Sequence, residues 1–318
     1  MLSIEVLNMV NGLKVQVNDP AIAVNNSTMD YSSKNNLISK QHIISDSNES
    51  RLSLRQEELH KFYNSAKYYD LAFLRDPDPD IEFFIKCFER YCDREVKRIL
   101  EPACGPGLFL ANAPKFGYYI LGYDLNPAMI KFSKDRLRNQ NILAQNADAV
   151  IANMVDVKFD EKFDAAFICI NSIGYLRNNI DIFSHFKNMN DSLNEGGIYI
   201  VEISFKCEDI KNEKKIDDTW YAKNEDIELE ATWAINGYDV EKRIRHVDFK
   251  MRALDKGEII NIEESHDLRL WIFDEFKEIT KLSGFEIVGI FNQNYEEISM
   301  QNMITGELGA LFIILKKS

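Results

Sequence analysis

The 318-residue chain is short of basic charge: 38 Lys and Arg stand against 51 Asp and Glu, a net charge of −13. Affinity for nucleic acid or an anionic membrane rests on Lys and Arg neutralising phosphate, so neither is an expected partner. Long apolar runs are also missing. None reaches the roughly 18 residues of a spanning helix. The N-terminus lacks the basic-then-apolar pattern of an export signal, and a cytoplasmic location is expected. Cysteine is scarce. Cys87, Cys92, Cys104, Cys169 and Cys207 include no C-x-x-C pair, which suits a reducing compartment and argues against zinc; no metal is expected. The thiols read as small buried hydrophobes.

What is present is apolar and periodic. With 45% hydrophobic residues the chain can build one large α/β domain with additions. Its organising stretch is Val96 to Asp124. A buried strand ends in Glu101, a small-residue turn follows (Ala103, Gly105, Gly107), then an amphipathic connection, then a second strand ending in Asp124. Glycines permit a tight turn and close approach to a ligand. A helix starting there, over about Gly107–Lys115, would offer free N–H donors. An acid closing the second strand is placed to grip a ribose. The dinucleotide pattern Gly-x-Gly-x-x-Gly fails, because its third position is Leu110. Glu101 beside the turn would repel a pyrophosphate. S-Adenosylmethionine (SAM) has a ribose, no phosphate, and an ammonium near a sulfonium, and it fits better.

Further along, βαβ alternation predicts helices at Asp80–Cys92, Pro127–Asn139 and Ile180–Leu193, the last capped by Gly196-Gly197. Strands are predicted at Ile142–Asn146, Phe163–Ile170 and Ile198–Ser204. Alternation then stops. Ile227–Ile235, Lys242–Leu254 and Ile259–Leu270, separated by Asn236-Gly237 and Lys256-Gly257, read as an antiparallel meander. Ile272–Ser283 is a helix, and Phe285–Phe291 with Ala310–Leu315 form a closing hairpin. The domain reading is an N-terminal extension (1–50) with a hairpin at Ile4–Val10 and Leu13–Val17, a ligand-binding core (51–204), an antiparallel lid or dimerisation insert (205–270) and a C-terminal part completing the core sheet (271–318). Ser53 would cap a helix that starts near Leu52. A homodimer through the lid is left open.

The run Glu-x-Ala-Cys-Gly-x-Gly resembles motif I of class I SAM-dependent methyltransferases. Their fold, a Rossmann-like seven-stranded α/β sheet with one reversed strand, is the fold this resemblance implies, here with an inserted β lid. Asn171-Ser172-Ile173-Gly174-Tyr175-Leu176, Ala66–Asp70, Glu263–His266, Leu282–Phe285 and Leu311-Phe312 are together similar to the amino-sugar N,N-dimethyltransferases of macrolide biosynthesis. One departure stands out. The sugar enzymes carry Gly-Arg-Gly-Leu-Phe on the last strand, whereas this chain has Leu308-Gly309-Ala310-Leu311-Phe312, without the arginine. A nucleotide-linked sugar is therefore not implied.

On this reading SAM is the methyl donor and S-adenosylhomocysteine the product. Glu101 and the backbone at Ala103, Gly105 and Gly107 hold the methionyl end, with Tyr63 or Tyr69 closing over it. Asp124 takes the ribose, Leu125 and Met129 lie beside the adenine, and Asp148 with the Ala149 backbone meets the adenine amino group. Asn171 belongs to the wall where the methyl points. Tyr175 and His266 are the groups expected to orient the acceptor or take its proton. The acceptor is expected to be a small-molecule amine. Methylation of a protein or peptide, or a silent SAM-binding subunit, are the alternatives left open.

Overall fold

The computed structural model describes residues 61–205, 217–300 and 310–318. The extension 1–50, Ser53, Cys207 and Leu308-Gly309 lie outside the described residues. Helices α1 (Lys61–Asn64), α2 (Ala66–Ala72) and α3 (Asp78–Tyr91) lead into β1 (Arg98–Pro102) and β2 (Tyr119–Asp124). Then follow α4 (Pro127–Asn139), β3 (Ala147–Ile151), β4 (Phe163–Ile168), α5 (Asn179–Ser192) and β5 (Leu193–Ser204). Four strands come next: β6 (Asp217–Lys223), β7 (Ile227–Asp239), β8 (Ile244–Asp255) and β9 (Glu258–Arg269). Helix α6 (Phe273–Leu282), β10 (Phe285–Phe291) and β11 (Ala310–Lys317) close the chain.

Seven strands form one sheet in the order β10-β11-β5-β4-β1-β2-β3. All neighbours from β5 to β3 are parallel, and β11 alone runs against them. Both faces are covered, so the central strands are apolar throughout rather than alternating. β4 is buried at every position. Successive residues serve opposite faces. Ile99, Ala165, Phe167 and Ile200 pack with Phe84 and Phe88 of α3. Leu100, Ala166, Ile168 and Val201 pack with Phe186 of α5 and Phe276 of α6. Asp78 and Asp80 in the first turn of α3 suit its positive N-terminal dipole.

The second sheet, β6-β7-β8-β9, is antiparallel throughout. Here the pattern does alternate. Leu229, Ala231, Phe249, Met251 and Ile262 pack on Phe62, Tyr68 and Leu71 of α1 and α2, while Glu228, Glu230, Lys250 and Arg252 are exposed. The sheet thereby sets α1 and α2 in place. Arg136 of α4 pairs with Asp70 and donates to Pro106 O at 3.1 Å, tying α2 to the turn after β1. Among the described residues, no helix is long and apolar enough to cross a membrane.

Several local expectations change. The third strand is not Ile142–Asn146. Asn141 takes a left-handed φ of 56°, its amide bonds Arg138 O at 3.0 Å, and the Ile142 amide reaches Leu137 O at 2.9 Å. That double bond is a Schellman closure of α4, so the apolar Ile142 seals a helix end and the strand starts at Ala147. No regular helix follows Gly107. Residues 105–112 form successive turns, and Ala113–Phe116 a short 3-10 helix. Gly196 and Gly197 do not cap α5, because β5 already starts at Leu193. A Cβ on Gly197 would sit 2.7 Å from Asp164 O, so this glycine lets two backbones approach. The meander also has a fourth strand, β6.

Candidate functional site

The site forms at the carboxyl ends of β1, β2 and β4, where open α/β sheets bind ligands. After β1 the chain enters left-handed space three times in five residues: Ala103 (φ 53°), Gly105 (52°) and Gly107 (76°). This coil folds back on β2. Cys104 N donates to Tyr123 O at 3.0 Å, and Gly105 N donates to Asp124 Oδ2 at 3.0 Å. Asn126 N donates to Asp124 Oδ1 at 2.8 Å. Asp124 thus stitches the turn to the start of α4. Burial raises its pKa, and the Asn126 and Gly105 amides offset part of that rise. Asn126 caps α4 by accepting from Ala128 N at 2.8 Å, and it reaches Asn64 of α1 at 3.0 Å. Leu125 is half-buried beside it, and Met129 is buried.

Glu101 is 4% exposed, and its Oε2 has no hydrogen-bond partner. Burial first, then the Asp124 charge, pushes its pKa well up. Gly105 faces open space: a Cβ there would meet only Tyr69 Cε1, at 3.9 Å. An unpartnered buried acid, a glycine open on one side and a second acid at the next strand fit a cationic nucleoside. SAM has the matching groups: an ammonium and a sulfonium that would suit Glu101, and a ribose that would suit Asp124.

The register of β3 sets Asp148 and Ala149, the residues expected at the adenine end, back from the strand ends. Asp148 is the second residue of β3 and pairs with Leu121, three positions before Asp124, or about 10 Å back along the strand. Its carboxylate lies 3.7 Å from Lys134 Nζ. Ala149 is wholly buried in the core against the sheet. Neither reaches the strand ends. There the Ala152 amide donates to Asp124 O at 3.0 Å, and Asn153 and Met154 follow. Asn153 Oδ1 accepts from Val155 N at 3.0 Å. The sequence signal for this strand end was the Ala147–Ile151 run, masked by the apolar Ile142.

A buried histidine holds this β3 loop. His185 on α5 faces Met154 O through Nδ1 at 3.1 Å and Tyr199 Oη through Nε2 at 2.8 Å. Burial pulls its pKa from 6.5 down to about 4, against a smaller opposing effect of the Met154 carbonyl. Between those values the unfolded chain takes up a proton that the native state refuses. Stability therefore falls as pH drops from 6.5 toward 4, by up to about 3 kcal/mol. Urea midpoints near pH 7.5 and 4.5 test this: His185→Gln should lack that part of the wild-type acid loss.

After β4 the backbone is strained. Ile170 (φ 56°) and Asn171 (φ 50°) are both left-handed, a costly state for a β-branched residue. Glu202 Oε2 holds the Ile170 amide at 2.8 Å, and Asn171 Oδ1 accepts from Ser204 N at 3.2 Å. The Asn171 carbonyl-type oxygen is therefore engaged with β5. The strained turn feeds the 3-10 segment Ser172–Tyr175, which presents Tyr175.

Four predicted residues from distant parts of the chain meet here. Tyr175 Oη lies 3.0 Å from His266 Nδ1 and also contacts Tyr63 Oη. Tyr63 packs against Tyr69 with ring centres 5.3 Å apart, and Tyr69 borders Gly105. His266 is fully buried and stacks on Trp233 at 5.2 Å. Burial raises the pKa of all three tyrosines, so their hydroxyls stay protonated.

Residues 99–197 match the model of a methyltransferase domain. YqeM of Bacillus subtilis (strain 168), named as a methyltransferase, is 28% identical over 197 residues, spanning 61% of this chain and 75% of its own. An S-adenosylmethionine-dependent methyltransferase from Clostridium acetobutylicum ATCC 824 superposes with a TM-score of 0.66 at 16% identity, covering 81% of this chain and 99% of that one. The sugar N-methyltransferase KedS8 from Streptoalloteichus sp ATCC 53650 does so at 0.61 and 15% identity, over 93% and 99%. With a methyltransferase domain on β1 to β5, the seven-stranded fold and a crevice built for a cationic nucleoside, the chain is a SAM-dependent methyltransferase.

Proposed function

We propose that the acceptor is a small-molecule amine, methylated on nitrogen by in-line displacement. The observation that carries this reading is the Tyr175–His266 pair, 3.0 Å apart, with Tyr63 beside it and Tyr69 packed on Tyr63 and bordering the Gly105 turn. When bound, SAM supplies an electrophilic methyl group. The chain's own residues then have two tasks. The first is alignment: the aromatic wall of Tyr63, Tyr69 and Tyr175 excludes water and limits the angles of approach. The second is proton removal, since an amine must lose a proton as it attacks. Tyr175 stays a neutral phenol, so it can pass a proton on to His266 Nδ1 rather than hold it. The sugar N-methyltransferase KedS8, on the same fold, supports an amine acceptor.

Transfer from methyl-labelled SAM tests the reading with D-glucosamine, simple primary amines, N-acetylglucosamine as the blocked control and a mixed peptide. Label should enter the free amines and not the blocked sugar. With the fastest amine, Tyr175→Phe should lower kcat by about 10²-fold, while KM for SAM stays within about twofold. Label entering the peptide alone would overturn the proposal.

A further inference from the structure

The inward face of β9 reads Ile260, Ile262, Glu264, His266, Leu268. A carboxylate in that row is costly unless it is paired. The Glu264 side chain is only 8% exposed, and its Oε1 lies 3.1 Å from His266 Nε2, within ion-pair reach but off the line of a ring N–H hydrogen bond. Its other oxygen accepts from Phe62 N at 3.2 Å, next to Tyr63. On the far edge of the imidazole, Nδ1 faces Tyr175. Among the described residues, the titratable groups that face His266 from the other packed elements are Tyr63 and Tyr175, while Trp233 and Phe249 present uncharged rings.

We propose that Glu264 is a positioning residue for methyl transfer: its carboxylate keeps the His266 proton on Nε2 and so turns the Nδ1 lone pair toward Tyr175. What that lone pair does rests on the amine reading above; the tautomer does not. In the transfer, the acceptor nitrogen forms the new C–N bond while the C–S bond breaks, its electron pair staying on sulfur. The nitrogen, now positive, gives up its proton through Tyr63 and Tyr175 to His266 Nδ1. The positive charge that began on sulfur ends on an imidazolium facing Glu264, and the amine leaves neutral. Through Phe62 N, the same carboxylate also holds the start of α1, and with it Tyr63.

The test uses full-length protein labelled with 15N in its histidine rings, read by two-bond nitrogen–proton correlation near pH 8. His266→Asn identifies the signal. Wild type and Glu264→Gln should both show the Nε2-protonated form, because either side chain keeps an oxygen facing Nε2. Glu264→Leu, lacking any acceptor, should show the Nδ1-protonated or a mixed form, with the His185 signals unchanged as proof of folding. An Nδ1-protonated wild type, or an unaltered tautomer in folded Glu264→Leu, overturns the proposal. Should the Leu variant not fold, the wild-type tautomer still decides. In turnover, Glu264→Gln should lower kcat at least about tenfold with KM for SAM within about twofold; a wild-type rate overturns the catalytic half. If no amine in the panel is methylated, the amine reading fails while the tautomer still judges the positioning of His266.

Discussion

Gly107→Ala should strongly destabilise the protein, while Gly105→Ala, two residues away, should cost little stability and impair SAM binding. At Gly107 a Cβ would stand 2.2 Å from Ser133 Oγ and 2.9 Å from Ser133 Cβ, with the α4 backbone at 3.4 Å. Ser133 is wholly buried, so nothing can swing aside. The residue also sits at φ 76°. Left-handed strain and overpacking together predict a loss of about 3–5 kcal/mol, a large share of the 5–15 kcal/mol typical of a folded protein. At Gly105 the φ of 52° costs an alanine about 1 kcal/mol, but the nearest atom is 3.9 Å away. Its methyl would instead occupy the side open to ligand, and SAM affinity should fall at least about tenfold, or 1.4 kcal/mol. Urea unfolding and calorimetry on both variants separate the two effects. Adding Ser133→Ala to Gly107→Ala should recover the part of the loss due to the hydroxyl. An unfolding midpoint for Gly107→Ala equal to wild type would contradict this account of the turn.

Asp124→Ala should weaken SAM binding by at least about 10²-fold, close to 3 kcal/mol. The carboxylate does two things at once. It accepts the Gly105 and Asn126 amides, which fix the turn and the start of α4, and it closes the second strand, where a ribose is expected. Removing it leaves the Gly105 and Asn126 amides without their acceptor, at about 1–3 kcal/mol for the buried Asn126, so the apo protein should also unfold at lower urea. Asp124→Asn keeps one acceptor oxygen and should fall between. Calorimetric titration with SAM and S-adenosylhomocysteine measures the affinity, and urea midpoints account for the stability change. Normal SAM affinity in Asp124→Ala would place the nucleoside elsewhere.

Much of this arrangement is legible in local sequence. The Glu101 to Gly107 turn and the acid at Asp124 announce the crevice because glycine spacing and strand-terminal acids are local features. The reversed last strand is visible because no helical pattern joins β10 to β11. The third strand is not legible in the same way. Ile142 is apolar whether it begins a strand or seals a helix by a Schellman bond, and only its amide partner, Leu137 O, distinguishes them. That shift sets Asp148 back within the strand and brings Asn153 just past its end. The turns after Gly107 likewise follow from backbone geometry that periodicity does not report.

The sequence by itself determined the succession of strands and helices, the crevice with its two acids, and the residue types able to move a proton. Periodicity and glycine placement suffice for that, because they state which side of an element is buried and where the chain must turn. Only the tertiary structure decided that Tyr63, Tyr175, Glu264 and His266, up to 203 positions apart, share one wall. The second sheet packs its apolar face onto α1 and α2 and so carries β9 to the strand ends. Local pattern marks a face as buried; which distant face it meets is settled when the two pack together.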